Sequence, residues 1–114
     1  MALFPASSGG KSDTGWQTVG TSGYAQYLSY RVKDGYCTLV YNAQSAMAYG
    51  AGWVELTSVL PAEARPNVRA SGAAFYSGSC AALVVYGGSS GLVYLYTASA
   101  STASVFATMT YPVG

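Results

Sequence analysis

The chain has 114 residues, of which 8% are charged and 51% are hydrophobic, and its formal net charge is +1. Charged residues make up about a quarter of an average soluble domain, so part of this surface is expected to be covered by other copies of the chain. The absence of histidine removes most general acid–base chemistry, and the lack of a basic run excludes the usual nucleic-acid binder.

No segment has the composition of a membrane anchor or a secretory signal. The longest apolar run, from Cys80 to Tyr86, is far shorter than the roughly 18 residues that cross a bilayer, and the amino terminus lacks a basic segment before an apolar one. Cys37 and Cys80 each lie in a β-prone run and are predicted as buried free thiols, with a disulfide between strands as the alternative. Two cysteines without a histidine do not make a usual zinc site, so no metal or other cofactor is expected.

The first 15 residues are predicted to be a flexible linker or tail, because they are polar and rich in glycine. Residues 16–114 then form a succession of short β-prone runs separated by turn residues, without a convincing helical period. The eight predicted strands are residues 16–19, 24–32, 36–42, 53–56, 67–76, 81–86, 92–97 and 105–111.

The clearest turn lies at Asp34-Gly35, since Asp-Gly between two alternating runs is the strongest short hairpin signal. By contrast, residues 43–52 and 98–104 are small and are predicted to be irregular connections. Many short strands with glycine-rich turns predict an all-β domain over residues 16–114, either an antiparallel β-sandwich, a jelly-roll-like fold or a small barrel.

The four acidic residues offer little for catalysis. Asp13 belongs to the predicted tail and Asp34 to the turn, which leaves Glu55 and Glu63 as the one carboxylate pair suited to a glycosidase mechanism. Glu63 lies beside Arg65 between two prolines, where a solvated ion pair is the simpler interpretation. No catalytic residue is therefore expected, and the protein is interpreted as a non-enzyme.

The eleven tyrosines and two tryptophans point instead to binding. These side chains have a broad apolar face and a polar edge, which suit sugar rings and protein surfaces. Tyrosines on clear strands are predicted to pack in the core or between subunits; they are Tyr30, Tyr41, Tyr86, Tyr94 and Tyr96. The candidate saccharide contacts are the aromatic residues at predicted loop edges and their polar neighbours, namely Tyr49, Trp53, Tyr76, Asn42, Gln44 and Arg69.

Four short motifs follow one another along the chain: Gly-Trp-Gln-Thr-Val at 15–19, Tyr-Arg-Val-Lys-Asp-Gly at 30–35, Leu-Pro-Ala-Glu-Ala-Arg-Pro at 60–66, and Thr-Tyr-Pro-Val at 110–113. Their order resembles that in the carboxy-terminal head domains of tailed-bacteriophage tail fibres and baseplate appendages. The similarity extends over about residues 15–114. One departure is that such heads normally end a much longer fibre.

The resemblance implies a β-sandwich head that trimerises around a threefold axis and recognises a host cell-surface receptor, usually a cell-wall saccharide. The chain would then be located in the virion. The resemblance supplies no site residue, because these heads share no universal binding motif. Three alternatives remain: a structural module that trimerises or caps a fibre, a depolymerase fragment acting through Glu55, and a secreted trimeric jelly roll, which requires a signal sequence.

Overall fold

The computed structural model describes residues 13–76, 79–87 and 90–113, except for the side chains of residues 45, 46, 76, 79, 80 and 101. These ranges form one antiparallel sheet of eight strands. The strands are β1 (Gln17–Thr18), β2 (Leu28–Lys33), β3 (Tyr36–Tyr49), β4 (Gly52–Thr57), β5 (Ala70–Tyr76), β6 (Ser79–Val85), β7 (Val93–Thr97) and β8 (Ser101–Pro112). The prediction of an all-β antiparallel domain with about eight strands is confirmed.

The sheet curls around its own core. Its spatial order is β1-β2-β3-β8-β5-β6-β7-β4. The edge strand β4 contacts the 3₁₀ turn Gly23–Tyr27, which leads into β2 near the opposite edge. One face of the sheet is therefore turned inward, and the other faces outward.

The alternation of buried and exposed residues in β8 shows how the core is built. Ala103, Val105, Ala107, Met109 and Tyr111 are buried, whereas the residues between them are exposed. Successive side chains of a strand point to opposite faces, so these five line the core and their neighbours belong to the outward face. The largest fully buried side chains of the other strands are Leu28, Cys37, Leu39, Tyr41, Leu83, Val85, Val93, Leu95 and Thr97.

The predicted hairpin at Asp34-Gly35 is confirmed. Lys33 pairs with Tyr36, which leaves a two-residue connection. Asp34 has φ 54° and Gly35 has φ 83°, and positive φ at both positions is what a type I′ turn requires. The turn sets the register of β2 against β3 and places Tyr30 opposite Leu39, with both side chains in the core.

Three predicted boundaries are wrong. Gly23–Tyr27 forms a 3₁₀ turn instead of the first half of a strand. Residues 43–52 are largely ordered, because β3 continues to Tyr49 through a register irregularity between Ala43 and Met47. The predicted connection at 98–104 is shorter than expected, since β8 begins at Ser101.

The described residues before Trp16, the predicted start of the domain, already contact the sheet. Thr14 donates its backbone N–H to the carbonyl of Val32 at 3.0 Å, which ties this segment to β2. Residues 1–12, the rest of the predicted tail, lie outside the described residues. Cys37 is a buried free thiol whose pKa is raised by burial, whereas the side chain of Cys80 lies outside the described part.

Candidate functional site: an aromatic strip on an uncharged face

Charged residues are absent from five adjacent strands of the sheet. In the order β3-β8-β5-β6-β7, none of the residues in these strands is Asp, Glu, Lys or Arg. The strands that flank them carry Arg31 and Lys33 on β2 and Glu55 on β4. The centre of the outward face therefore offers apolar and neutral polar groups to whatever contacts it.

Four aromatic side chains form a continuous strip towards the β4 edge of the outward face, which we call the aromatic strip: Trp53, Tyr96, Tyr94 and Tyr86. The Trp53 ring lies 4.9 Å from that of Tyr96 and 5.7 Å from that of Tyr94, measured between centroids. Tyr94 in turn lies 5.5 Å from Tyr86. The interplanar angles of 58°, 77° and 59° are those of tilted and edge-on pairs, which aromatic rings prefer. Trp53 is nevertheless 53% exposed, so the strip is open to a ligand.

Strand pairing places the members of the strip side by side. Trp53 on β4 lies opposite Tyr96 on β7, and Glu55 lies opposite Tyr94. Because β4 and β7 are antiparallel neighbours, these pairs lie on the same outward face.

Two ionic groups lie beside the strip. The Arg69 guanidinium lies 5.7 Å from the centroid of the Tyr86 ring, within the range of a cation–π contact. Glu55 is exposed and lies beside the middle of the strip, opposite Tyr94. The strip thus combines apolar ring faces with a hydrogen-bond donor and an acceptor.

A second apolar feature, the phenylalanine pair, lies on β5 and β8. Phe75 and Phe106 are directly opposite each other in the register, and both are exposed, Phe75 to 72%. Phenylalanine has no polar group to hydrogen-bond water, so the two rings together expose a purely apolar area on the outward face.

The structure places the six predicted site residues in different surroundings. Gln44 is exposed on β3. Trp53 and Arg69 lie at the two ends of the aromatic strip. Asn42 is exposed on the outward face of β3, beside another groove. Tyr76 ends β5, but its side chain lies outside the described residues.

Tyr49 is not a surface residue, contrary to its prediction as a loop-edge contact. It ends β3 and is only 2% exposed. Its hydroxyl lies 2.7 Å from that of Tyr41 in a hydrogen bond, and its ring stacks on Tyr24 with centroids 5.3 Å apart. Tyr49 lies in the core because β3 extends to it. The residues at 43–48 show no clear strand period, so this extension was not expected from the sequence.

Glu63 is occupied in a structural contact. Its Oε2 accepts a hydrogen bond of 2.5 Å from the hydroxyl of Tyr30, which ties the 3₁₀ turn Ala62–Ala64 to β2. Burial and this hydrogen bond raise the pKa of Tyr30 to about 12. Arg65 donates from Nε to the carbonyl of Leu60 at 2.7 Å.

Three members of the strip, Tyr86, Tyr94 and Tyr96, were assigned to packing from the sequence. The alternation along β7 shows which way its two tyrosines face, because Val93, Leu95 and Thr97 alternate with Tyr94 and Tyr96 and are buried. The two tyrosines between these residues must face outward. What brings Trp53 against them is the pairing of β4 with β7, which local sequence does not encode.

Within the described ranges, no helix is long and apolar enough to cross a membrane. The same residues contain no group of three or more His, Cys, Asp or Glu side chains placed to hold a metal ion.

No protein-family model matches the chain, and no curated protein matches it.

Proposed function

We propose that the chain is a non-enzymatic receptor-binding head, of the kind found on bacteriophage tail fibres and baseplates, that binds a host cell-wall saccharide. The proposal rests on the resemblance of the sequence motifs and on one structural observation. That observation is the aromatic strip, open to solvent and flanked by Glu55 and Arg69. Aromatic walls with a few polar groups are typical of small-ligand sites.

Binding by the strip requires no bond to be broken. The exposed faces of Trp53 and Tyr96 stack against the apolar face of a sugar ring, and the tyrosine hydroxyls and Glu55 hydrogen-bond its hydroxyl groups. Three such sites on a homotrimer, multiplied over the fibres of a particle, convert weak single contacts into firm attachment.

A glycan array and a host cell-wall pull-down test this proposal. Trp53→Ala is expected to lower the affinity about tenfold or more, because aromatic side chains that become buried on binding contribute most of the binding energy of recognition surfaces. Val59→Ala, which also shortens an exposed apolar side chain, is the matched control and should bind like the parent. Absence of saccharide binding by a well-folded parent contradicts the proposal.

The phenylalanine pair favours a second candidate, a structural module that trimerises or caps a fibre without recognising a receptor. Two exposed rings that make no hydrogen bonds suit contact between subunits better than contact with a sugar. The two candidates separate in one comparison. If host attachment survives Trp53→Ala and Tyr96→Ala in a folded oligomer, the strip is not the receptor site and the structural candidate is favoured.

A further inference from the structure

A second surface has the composition of a ligand groove. It lies on the strands at the opposite end of the strand order from the strip, although the turn that carries Gln26 and Tyr27 contacts β4. It is open, has a volume of about 440 Å³, and is lined by Trp16, Gln26, Tyr27, Ser29, Val40 and Asn42. We call it the amide groove, after its two carboxamides. Its volume lies within the range of roughly 300–1,000 Å³ that small-molecule sites occupy.

The backbone on either side of Trp16 is held by hydrogen bonds, although the Trp16 side chain is 54% exposed. Just before it, Gly15 adopts φ 68° and donates its N–H to Asp13 at 2.9 Å. Asp13 is paired with Arg31 of β2 through two hydrogen bonds, and just after Trp16 the Gln17 side chain donates to the carbonyl of Thr14 at 2.8 Å.

Thr14 adds two bonds to the same strand, since its backbone N–H donates to the Val32 carbonyl and its hydroxyl accepts from the Val32 N–H, both at 3.0 Å. The backbone that carries the indole is thus held in place before a ligand arrives, and this preorganisation favours binding.

The polar groups of the groove are neutral and suit hydroxyl groups. The Gln26 amide nitrogen donates to the carbonyl of Gly23 at 3.0 Å, which orients the side chain. Its oxygen then remains as an acceptor, while Asn42 and Ser29 supply donors and acceptors. Neutral amide groups beside an aromatic face suit the hydroxyl groups and the apolar face of a sugar ring better than they suit an ion or a wholly apolar ligand.

The indole also lines a neighbouring groove of about 400 Å³, together with Arg31, Lys33, Asp34, Tyr36 and Thr38. Trp16 therefore forms the ridge between a neutral groove and a charged one. A saccharide longer than one unit has space to continue across this ridge.

We propose that the amide groove is a second saccharide site, in which Trp16 stacks on a neutral pyranose ring and Asn42 and Gln26 hydrogen-bond its hydroxyls. The inference deepens the proposed function, on which it rests for the ligand class, and makes each protomer bivalent. It does not depend on the aromatic strip, because the two surfaces share no residue.

The two tryptophans of the chain allow the sites to be tested separately, since one lies in each. In Trp53→Phe the remaining tryptophan emission comes from Trp16, and in Trp16→Phe it comes from Trp53. Each full-length variant is titrated with neutral oligosaccharides of glucose, galactose and N-acetylglucosamine, and the emission and its quenching by acrylamide are recorded.

The inference predicts a saturable change in Trp16 emission and protection of Trp16 from acrylamide in the Trp53→Phe variant. Asn42→Ala in that background should weaken the affinity about three- to tenfold, which is the effect of losing one hydrogen bond. Gln26→Ala provides a second variant should Asn42→Ala fail to fold.

The outcomes distinguish this inference from the proposed function. If Trp53 responds to an oligosaccharide and Trp16 responds to none, the amide groove is not a saccharide site and the strip remains one. If Trp16 alone responds, the groove is supported and the strip is not the receptor site. A Trp16 response that both amide variants leave unchanged overturns the inference as well.

Discussion

The hydroxyls of Tyr41 and Tyr49 lie 2.7 Å apart inside the core and join two parts of the same strand. Tyr41 precedes the register irregularity of β3 between Ala43 and Met47, and Tyr49 follows it. Tyr24 covers Tyr49 and donates its hydroxyl to the carbonyl of Ala48 at 2.6 Å. The hydrogen bond between the two tyrosines therefore links the parts of β3 before and after the irregularity, where the regular pairing with β8 is interrupted.

A double-mutant cycle measures this link. Tyr41→Phe and Tyr49→Phe should each lower the free energy of unfolding by about 1–2 kcal/mol, because each removes the hydrogen bond between the two buried hydroxyls. The double variant should lose less than the sum of the two, with a coupling energy of about 1 kcal/mol. Urea unfolding of the four proteins gives these values, and strictly additive losses contradict the link.

Stability should fall as the pH rises above about 10, because buried tyrosines keep their protons only in the folded state. Burial and the hydrogen bond to Glu63 raise the pKa of Tyr30 from 10.0 to about 12, and burial raises the pKa of Tyr41 and Tyr111 as well. An unfolded chain releases these protons near its ordinary tyrosine pKa, so above that pH the folded state binds more protons and stability decreases.

The contribution of Tyr30 is complete below pH 10 and is lost between pH 10 and about 12. Urea midpoints measured over this window should decline, and tyrosinate absorbance should report the delayed ionisation of the folded protein. Tyr30→Phe should decline less steeply than the parent. A midpoint independent of pH across the window would show that the buried hydroxyls ionise freely.

Much of the fold could be predicted from local sequence, and the reasons differ between elements. The Asp34-Gly35 turn and the alternation of Leu28 and Tyr30 are local signals, so β2 and its hairpin were predictable. The far end of β3 was not, because its run of small residues around a register irregularity shows no clear period.

The candidate site was less predictable than the fold. Residue type and a predicted loop-edge position single out Trp53, and Arg69 is predicted as a polar neighbour. The strip itself exists because β4 pairs with β7 and brings Trp53 against Tyr96. Tyr49 was misplaced for the opposite reason: its burial depends on contacts with Tyr41 and Tyr24 that are made only in the folded chain. Pairing between distant strands is a property of the whole chain.

Gly91→Ala should destabilise the domain because two chain segments meet closely at this position. A Cβ at Gly91 would lie 2.8 Å from the nitrogen of Leu60 and 2.9 Å from the carbonyl oxygen of Ser58, and backbone atoms cannot yield as a side chain can. The expected loss is about 1–3 kcal/mol. Gly50→Ala, which meets no atom within 4 Å, should stay within about 0.5 kcal/mol of the parent, and equal effects of the two changes would refute the close approach.

The proposed trimer should dissociate in Phe75→Lys, since this change places a charge on a face that carries none over five adjacent strands. Val68→Lys is the matched control, because Val68 is equally exposed but lies in the loop before β5. The first variant is expected to elute as a folded monomer and the second as the parent does. If Phe75→Lys has the same oligomeric mass as the parent, the phenylalanine pair does not lie between subunits.

The solution mass of the parent, measured by light scattering on a size-exclusion column, tests the trimeric head most directly. Three copies of the 11.7 kDa chain give about 35 kDa, which is the mass expected if the uncharged outward face is partly covered between subunits. A mass of one chain would mean that this face is exposed to solvent and would contradict the trimer.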